Sequence, residues 1–229
     1  MAVAALGSVL TGLTHTAEAG SNRILILAHG NEWGLADANV LTGLTYGGQA
    51  MTNVPAATLT VGTATVMRGE IWYLNEAGIA AATDNIIAPT FADGSYSAPM
   101  FHHGFYSNVD QANPLVDSDA ASRTTAGSLS SPAITTVANG YLVAAAACGA
   151  EGPAAWTNAT EQTDQAFGDP PGANLSFAHI TTSGADITLT VTHTDDNRKV
   201  IMAVTLRPAA VGGSIIKQAM HHYKTMALH

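Results

Sequence analysis

The chain has 229 residues, of which 47% are hydrophobic and only 11% are charged, and its formal net charge is −9. This apolar content is too high for a disordered chain, and no apolar run is long enough to span a membrane. The acidic balance disfavours sequence-independent binding to nucleic acid, which depends on Lys and Arg against phosphate. A folded, charge-poor protein remains, with room for one β-sandwich or two small domains.

Residues 1–20 predict an N-terminal arm and a first strand, Ser8–Thr16. The strand is predicted from short apolar runs. The segment superficially resembles a signal peptide, but it lacks the basic region that a signal peptide begins with. We therefore expect synthesis and assembly in a cytoplasm.

Residues 21–208 predict a β-rich body, because short apolar runs alternate with clusters of Gly, Pro, Asn, Asp and Ser. Several runs alternate apolar and polar residues, notably Ile187–Thr192. The predicted fold class is all-β, an antiparallel β-sandwich of jelly-roll-like type. The predicted strands after the first are Asn22–His29, Val40–Tyr46, Thr58–Met67, Gly69–Leu74, Asn85–Phe91, Met100–Asn108, Ala133–Val137, Tyr141–Cys148, Thr157–Gln162, Asn174–Thr181, Asp186–Thr194 and Lys199–Arg207.

A weak internal repeat divides the body into two possible halves, residues 21–110 and 133–208. The run that begins at Asn22 resembles the run that begins at Asn139, and Gly69–Leu74 has a counterpart that begins at Asn174. The halves could form one jelly roll or two packed modules. The stretch Asp110–Pro132, rich in Asp, Asn, Ser and Gly, would be the crossover between them.

Residues 209–229 predict a linker and a short C-terminal α-helical tail. Ser214 is a suitable N-cap, and the apolar residues after it follow helical spacing without Pro, Gly or acid. A helix of this length needs a surface to lie on, so the tail predicts an interaction with a neighbour. Packing against its own sheet is the alternative. The predicted interaction residues are Ile215, Ile216, Lys217, Met220, Tyr223, Lys224 and Met226.

The titratable residues predict no catalytic, cofactor-binding or metal-binding site. His102 and His103 are adjacent in a strand, so we expect one to point inward and the other to be exposed. Asp117 and Asp119 lie in the predicted crossover, where loop capping is favoured over Ca²⁺ binding. Glu70 and the turn residue Glu76 are not expected to converge as a glycosidase pair would.

Trp33 and Trp156 lie near predicted loops and could stack on a sugar. They support an alternative function, a carbohydrate-binding surface or adhesion module. Cys148 lies in an apolar run, where a buried core position is expected.

Three segments resemble β-sandwich modules of tailed-phage structural proteins: Ser21–Ala28, Leu44–Thr52 and Glu70–Leu74. They carry the pattern of an "N-R-hydrophobic" strand, a "T-Y-G-G-Q-x-M/L-T" hairpin and a "W-Y-L" strand. The resemblance covers roughly residues 20–110 and includes no catalytic residue. It implies a virion component, either a capsid decoration (cement) protein or a tail-associated protein.

The sequence thus predicts a non-enzymatic structural virion protein that contacts neighbouring subunits through its termini. The predicted partners are other capsid or tail subunits and further copies of the chain, without nucleic acid or membrane. Assembly would take place in the host cytoplasm. No cofactor is predicted.

Overall fold

The computed structural model describes residues 1–33, 40–62, 65–92, 99–167, 172–194 and 198–210. The predicted tail helix, with its seven interaction residues, lies outside this part of the chain, as does the side chain of Trp33. The described residues form strands and one short helix. The elements are β1 (Ala4–Thr11), β2 (Ile24–Trp33), β3 (Leu41–Tyr46), β4 (Gln49–Ala50), β5 (Thr52–Val61), β6 (Val66–Asn75), α1 (Glu76–Ala81), β7 (Ile87–Phe91), β8 (Met100–Ser107), β9 (Leu115–Arg123), β10 (Leu129–Ser130), β11 (Ala138–Cys148), β12 (Ala154–Thr157), β13 (Thr160–Phe167), β14 (Ala173–Ser183), β15 (Thr190–His193) and β16 (Lys199–Leu206).

The strands form four antiparallel sheets. One five-stranded sheet has the order β1-β8-β2-β6-β5, and the other has the order β13-β14-β11-β16-β9. The two smaller sheets have the orders β4-β3-β7 and β10-β15-β12. The predicted all-β antiparallel sandwich is confirmed.

The strand order repeats between the two parts of the chain. Read from its other edge, the second five-stranded sheet is β9-β16-β11-β14-β13, which matches β1-β8-β2-β6-β5 strand for strand. The segments that resemble each other in sequence, β2 with β11 and β6 with β14, hold equivalent positions. The two parts of the chain therefore repeat the same strand order.

The four sheets stack in the order three, five, five and three strands. One core cluster lies between the two five-stranded sheets and includes Ile26, Ile71, Val143 and Met202. A second cluster lies between the first five-stranded sheet and β4-β3-β7, and a third packs the second five-stranded sheet against β10-β15-β12. The central strands are thus buried on both faces, which explains uninterrupted apolar runs such as that of β11.

Glycine allows the two five-stranded sheets to approach closely. Gly30 and Gly69 are paired across β2 and β6. A Cβ atom on Gly30 would lie 3.1 Å from Leu175 Cδ1. A Cβ atom on Gly69 would lie 2.6 Å from Val200 Cγ2, and nearer still to Met202 Sδ. Bare backbone at these positions sets the spacing of the central interface.

Several local predictions differ from the structure. The predicted strand Thr58–Met67 crosses the connection between β5 and β6, and Thr157–Gln162 crosses the connection between β12 and β13. The predicted crossover contains a strand, β9, that pairs with β16 and follows a polar sequence. The predicted turn at Asn75 begins α1, because the Asn75 side chain accepts a hydrogen bond from the Gly78 amide at 3.2 Å and caps the helix. The predicted strand Ala133–Val137 contributes only a bridge between Ile134 and Ile187.

The N-terminal residues belong to the sandwich. The first strand runs over Ala4–Thr11 and pairs with β8, instead of running over Ser8–Thr16. The Val3 amide donates a hydrogen bond to the Asn139 carbonyl at 2.9 Å, which ties this edge strand to the second half. Any role of the N-terminal arm in assembly must therefore use a strand that is already paired along one edge.

Candidate functional site

An exposed apolar patch lies where the chain leaves β1. Four large hydrophobic side chains are exposed among the described residues, and three of them, Leu10, Leu13 and Ile86, lie in this region, with exposed fractions of 41%, 40% and 50%. The Ile87 amide donates to the Leu13 carbonyl at 2.8 Å, and Thr14 forms a bridge with Ile86. We call Leu10, Leu13 and Ile86 the apolar patch.

The local backbone brings these three residues to one border of the fold, although the bridge between Thr14 and Ile86 sets the Ile86 side chain on the opposite face from Leu13. Gly12 follows β1 with a φ of 95°, a left-handed conformation that suits glycine, and its amide donates to the Phe101 carbonyl at 3.0 Å. The chain then turns towards the smaller sheet, where the His15 amide donates to the Asn85 carbonyl at 3.0 Å. The patch therefore spans the border between a five-stranded sheet and a three-stranded sheet.

A shallow pocket of about 390 Å³ adjoins the patch. Its walls include Tyr46, Ile79 and Ala82, together with the polar residues Thr16 and Asn85. The Tyr46 hydroxyl donates to the His15 carbonyl at 2.7 Å, and the Asn85 amide nitrogen donates to Thr16 Oγ1 at 3.3 Å. These polar atoms have protein partners, so the pocket extends the patch chiefly as a concave surface.

Two carboxylates lie around the patch. The exposed Asp84 lines the pocket and accepts a hydrogen bond from the Ile86 amide at 2.9 Å. Glu18 contacts the backbone of β1 at Gly7, and its charge acts on His15. Burial nevertheless outweighs that charge and lowers the pKa of His15. Arg23 lies beside Glu18, because its Nη1 donates to the Glu18 carbonyl at 2.8 Å, so the rim carries charges of both signs.

Beneath the patch, two buried imidazoles form a hydrogen-bonded pair. His15 Nδ1 and His103 Nδ1 are 2.8 Å apart, and His103 Nε2 lies 3.1 Å from the Gly12 carbonyl. Since a carbonyl only accepts, His103 Nε2 must carry the proton, and His15 Nδ1 then donates to His103 Nδ1. Burial lowers the pKa of His103 to about 4, so both rings are neutral at pH 7.

The structure corrects the prediction for the His102-His103 pair. The two rings do occupy opposite faces, but neither is exposed, since both residues are fully buried. His102 has no hydrogen-bonding partner for either ring nitrogen, and burial lowers its pKa to about 3. Among the described residues, no group of three or more His, Cys, Asp or Glu could hold a metal ion.

Glu70 and Glu76 form two separate networks. The buried Glu70 accepts from Trp72 Nε1 at 2.8 Å, forms an ion pair with Arg68, and lies on the same strand face as Trp72. Glu76 binds the Arg23 guanidinium, with Nη2 to Oε1 at 2.5 Å, which lowers the pKa of Glu76. Each carboxylate neutralises its own arginine, so the two do not converge on a common point.

Trp156 contributes to packing in the second half. Its side chain is half-buried against the third core cluster, and its Nε1 donates to Ser176 Oγ at 2.8 Å. Part of the indole surface and its N–H group are therefore already engaged within the protein.

Asp117 and Asp119 bind backbone amides. Asp117 accepts from the amides of Ser118 at 2.9 Å and Thr135 at 2.7 Å, and Asp119 accepts from Ala120 at 2.7 Å. Cys148 is fully buried, as predicted.

No protein-family model, curated protein or solved structure matches this chain. Among the described residues, no helix has the length and apolar character needed to cross a membrane.

Proposed function

We propose that this chain is a non-enzymatic structural protein of a virion, which decorates or cements a phage capsid or forms part of its tail. The observation that carries the proposal is the apolar patch of Leu10, Leu13 and Ile86. Large apolar side chains that stay exposed near one another at a border of a folded protein are available for contact with other macromolecules. The patch lies beside an edge strand, which can also offer backbone hydrogen bonds to a neighbour.

The residues that resemble phage structural modules support this function because they build the sandwich. Gly47 and Gly48 form a two-residue turn between β3 and β4, with φ values of 52° and 76°, and this turn closes the predicted hairpin. Arg23, in the first part of the pattern, pairs with Glu76, which lies two residues beyond the last part. The shared residues thus build a sandwich, which agrees with a structural role.

The composition agrees with a subunit that is covered by neighbours. Only 11% of the residues are charged, and a charge-poor surface loses less solvation free energy when another subunit covers it. The terminal segments are the predicted contact elements. The apolar patch adds a third contact region, on the described body.

Particles purified from a phage lysate test this function. The chain should band with intact particles in a density gradient and should remain bound after washing in high salt, because apolar contacts resist salt. Quantitative mass spectrometry should give many copies per particle. A chain that stays in the soluble fraction and is missing from washed particles contradicts the proposal.

A further inference from the structure

We propose that the His15–His103 pair is an acid-sensitive latch that holds the N-terminal strand β1 against β8. When the two rings take up protons, β1 detaches from the sheet while the rest of the sandwich stays folded. The inference concerns a conformational step of this chain, and it does not depend on the proposed function.

The strand that the latch holds has few other anchors. β1 lies at the edge of its five-stranded sheet, and its register with β8 shifts between Leu6 and Leu10. None of its own residues is buried, and Val3 is the single buried residue among residues 1–14. Because detachment exposes little apolar surface, its free energy is small compared with that of global unfolding.

The latch closes over the end of β1. Gly12, the residue that follows β1, donates its amide to the Phe101 carbonyl at 3.0 Å, and its carbonyl accepts from His103 Nε2 at 3.1 Å. His15 Nδ1 donates to His103 Nδ1 at 2.8 Å. The two side chains therefore tie the segment after β1 to β8, in addition to the backbone hydrogen bonds of the sheet.

The closed pair has no good position for a further proton. His103 Nε2 already carries the proton that it donates to Gly12, so a second proton on His103 would sit on Nδ1 and face the N–H group of His15. His15 Nε2 is buried without a hydrogen-bonding partner, so a proton there would create a buried charge without an acceptor. Each ring can gain its proton favourably only after the pair separates.

The charged groups around the pair do not hold these protons in the closed form. Glu18 acts on His15, but burial lowers the pKa of His15 more than Glu18 raises it. Tyr46 donates its hydroxyl to the His15 carbonyl at 2.7 Å, and Asp84 is exposed, so solvent screens its charge. The remaining titratable or charged groups nearby are His102, which is neutral and buried, and Arg23, which is bound to Glu76.

The direction of the pH effect follows from these contacts. Detachment of the segment after β1 opens both rings to water, where a histidine has a pKa near 6.5, whereas burial lowers the pKa of His103 to about 4 and also lowers that of His15. The closed form is fully favoured above pH 6.5 and loses its advantage as the pH falls. With two protons gained on opening, the open population should rise about a hundredfold between pH 7.5 and pH 5.5.

Hydrogen exchange of the full chain between pH 7.5 and pH 5.5, corrected for the intrinsic exchange rate, tests the latch. The amides of β1 that bond to β8 should lose protection about a hundredfold over this range. They should also be less protected than the amides of β11 at each pH, because β11 is central and opens only when the whole chain unfolds.

Two variants identify the rings that take up the protons. His103→Gln keeps a side-chain N–H group for the Gly12 carbonyl but removes one titrating ring, so the loss of β1 protection should shrink to about tenfold, whatever its level at pH 7.5. His15→Gln removes the other ring and should have the same effect. The matched control is His193→Gln, a buried histidine beneath the other small sheet, which should leave the hundredfold change in β1 intact.

Three results would overturn the latch. The β1 amides could be as well protected as those of β11 at every pH, which would mean that β1 does not open separately. Their protection could be independent of pH. The change could also remain hundredfold in both His103→Gln and His15→Gln, which would place the titrating groups elsewhere.

Discussion

Acidification to about pH 5 is expected to unfold this protein, because its buried histidines take up protons only when the chain unfolds. All six histidines in the described part of the chain have a lowered pKa. Desolvation by burial is the largest cause for each of them. The pKa is about 3 for His29 and His102, about 4 for His103, His179 and His193, and lowered for His15.

The direction of the effect follows from the two pKa values of each group. An unfolded histidine has a pKa near 6.5, so between that value and its folded pKa the unfolded chain binds a proton that the folded chain does not. The stability contributed by the neutral ring is fully present above pH 6.5 and decreases as the pH falls towards the folded pKa.

The size of the effect is large for so small a protein. Each such histidine removes at most about 1.4 kcal/mol of stability per pH unit. The four most buried ones, His29, His102, His103 and His193, together remove up to about 5.6 kcal/mol per pH unit, and the half-buried His179 contributes less because solvent screens its charge. A typical domain has about 5–15 kcal/mol in total, so roughly one and a half pH units below 6.5 remove an amount of stability comparable with that total. Nearby charges do not offset the effect of burial on these pKa values. Arg68 lowers the pKa of His29 further, and at His193 and His15 the raising effects of Asp164 and Glu18 are smaller than the lowering by burial.

Urea denaturation measured from pH 7.5 to pH 5 checks this prediction. His102→Leu should reduce the slope of stability against pH by about 1.4 kcal/mol per unit, since His102 makes no hydrogen bond that the substitution would break. A wild-type chain whose free energy of unfolding stays constant down to pH 5 would show that these rings are protonated in the folded state.

The second large effect is expected from Gly69→Ala, which should lower the free energy of unfolding by about 2–3 kcal/mol. The new methyl group would lie 2.6 Å from Val200 Cγ2 and closer still to Met202 Sδ, in the core between the two five-stranded sheets. Val200 is β-branched and fully buried, so it has little freedom to move aside. The two sheets must then separate or side chains must leave their preferred rotamers.

Gly43→Ala is the matched control for this substitution. Gly43 also lies in a strand, but a Cβ atom there would meet Thr90 Cβ at 3.7 Å, an ordinary van der Waals contact. Its stability should remain within about 0.5 kcal/mol of wild type in the same urea titration. Equal effects of the two substitutions would mean that the central interface is not tightly packed at Gly69.

The sequence predicts most strands of the body because their burial leaves an unmistakable apolar run. Tyr141–Cys148 is predicted where β11 spans Ala138–Cys148, and Lys199–Arg207 is predicted where β16 spans Lys199–Leu206. In contrast, β9 is a sheet edge, and its partly exposed residues Asp117, Ser118 and Asp119 resemble a loop. Tertiary pairing overrides local preference there.

The residues of the candidate site are harder to predict from the sequence. Leu10 and Leu13 have polar neighbours in the sequence, and Ile86 lies more than seventy positions further along the chain. Only the fold brings them together, and an isolated leucine in a sequence does not reveal whether it is exposed. The burial of both His102 and His103 has the same origin, since the layers that cover the two faces of β8 are remote in sequence.

The two halves share one core, and they should therefore behave as a single cooperative unit. Differential scanning calorimetry of the full chain at pH 7.5 tests this most directly. We expect one transition in which the calorimetric and van't Hoff enthalpies agree. Two resolved transitions, each with the enthalpy of about half the chain, would show that the five-stranded sheets are not held together by a common core, and would contradict the four-layer arrangement.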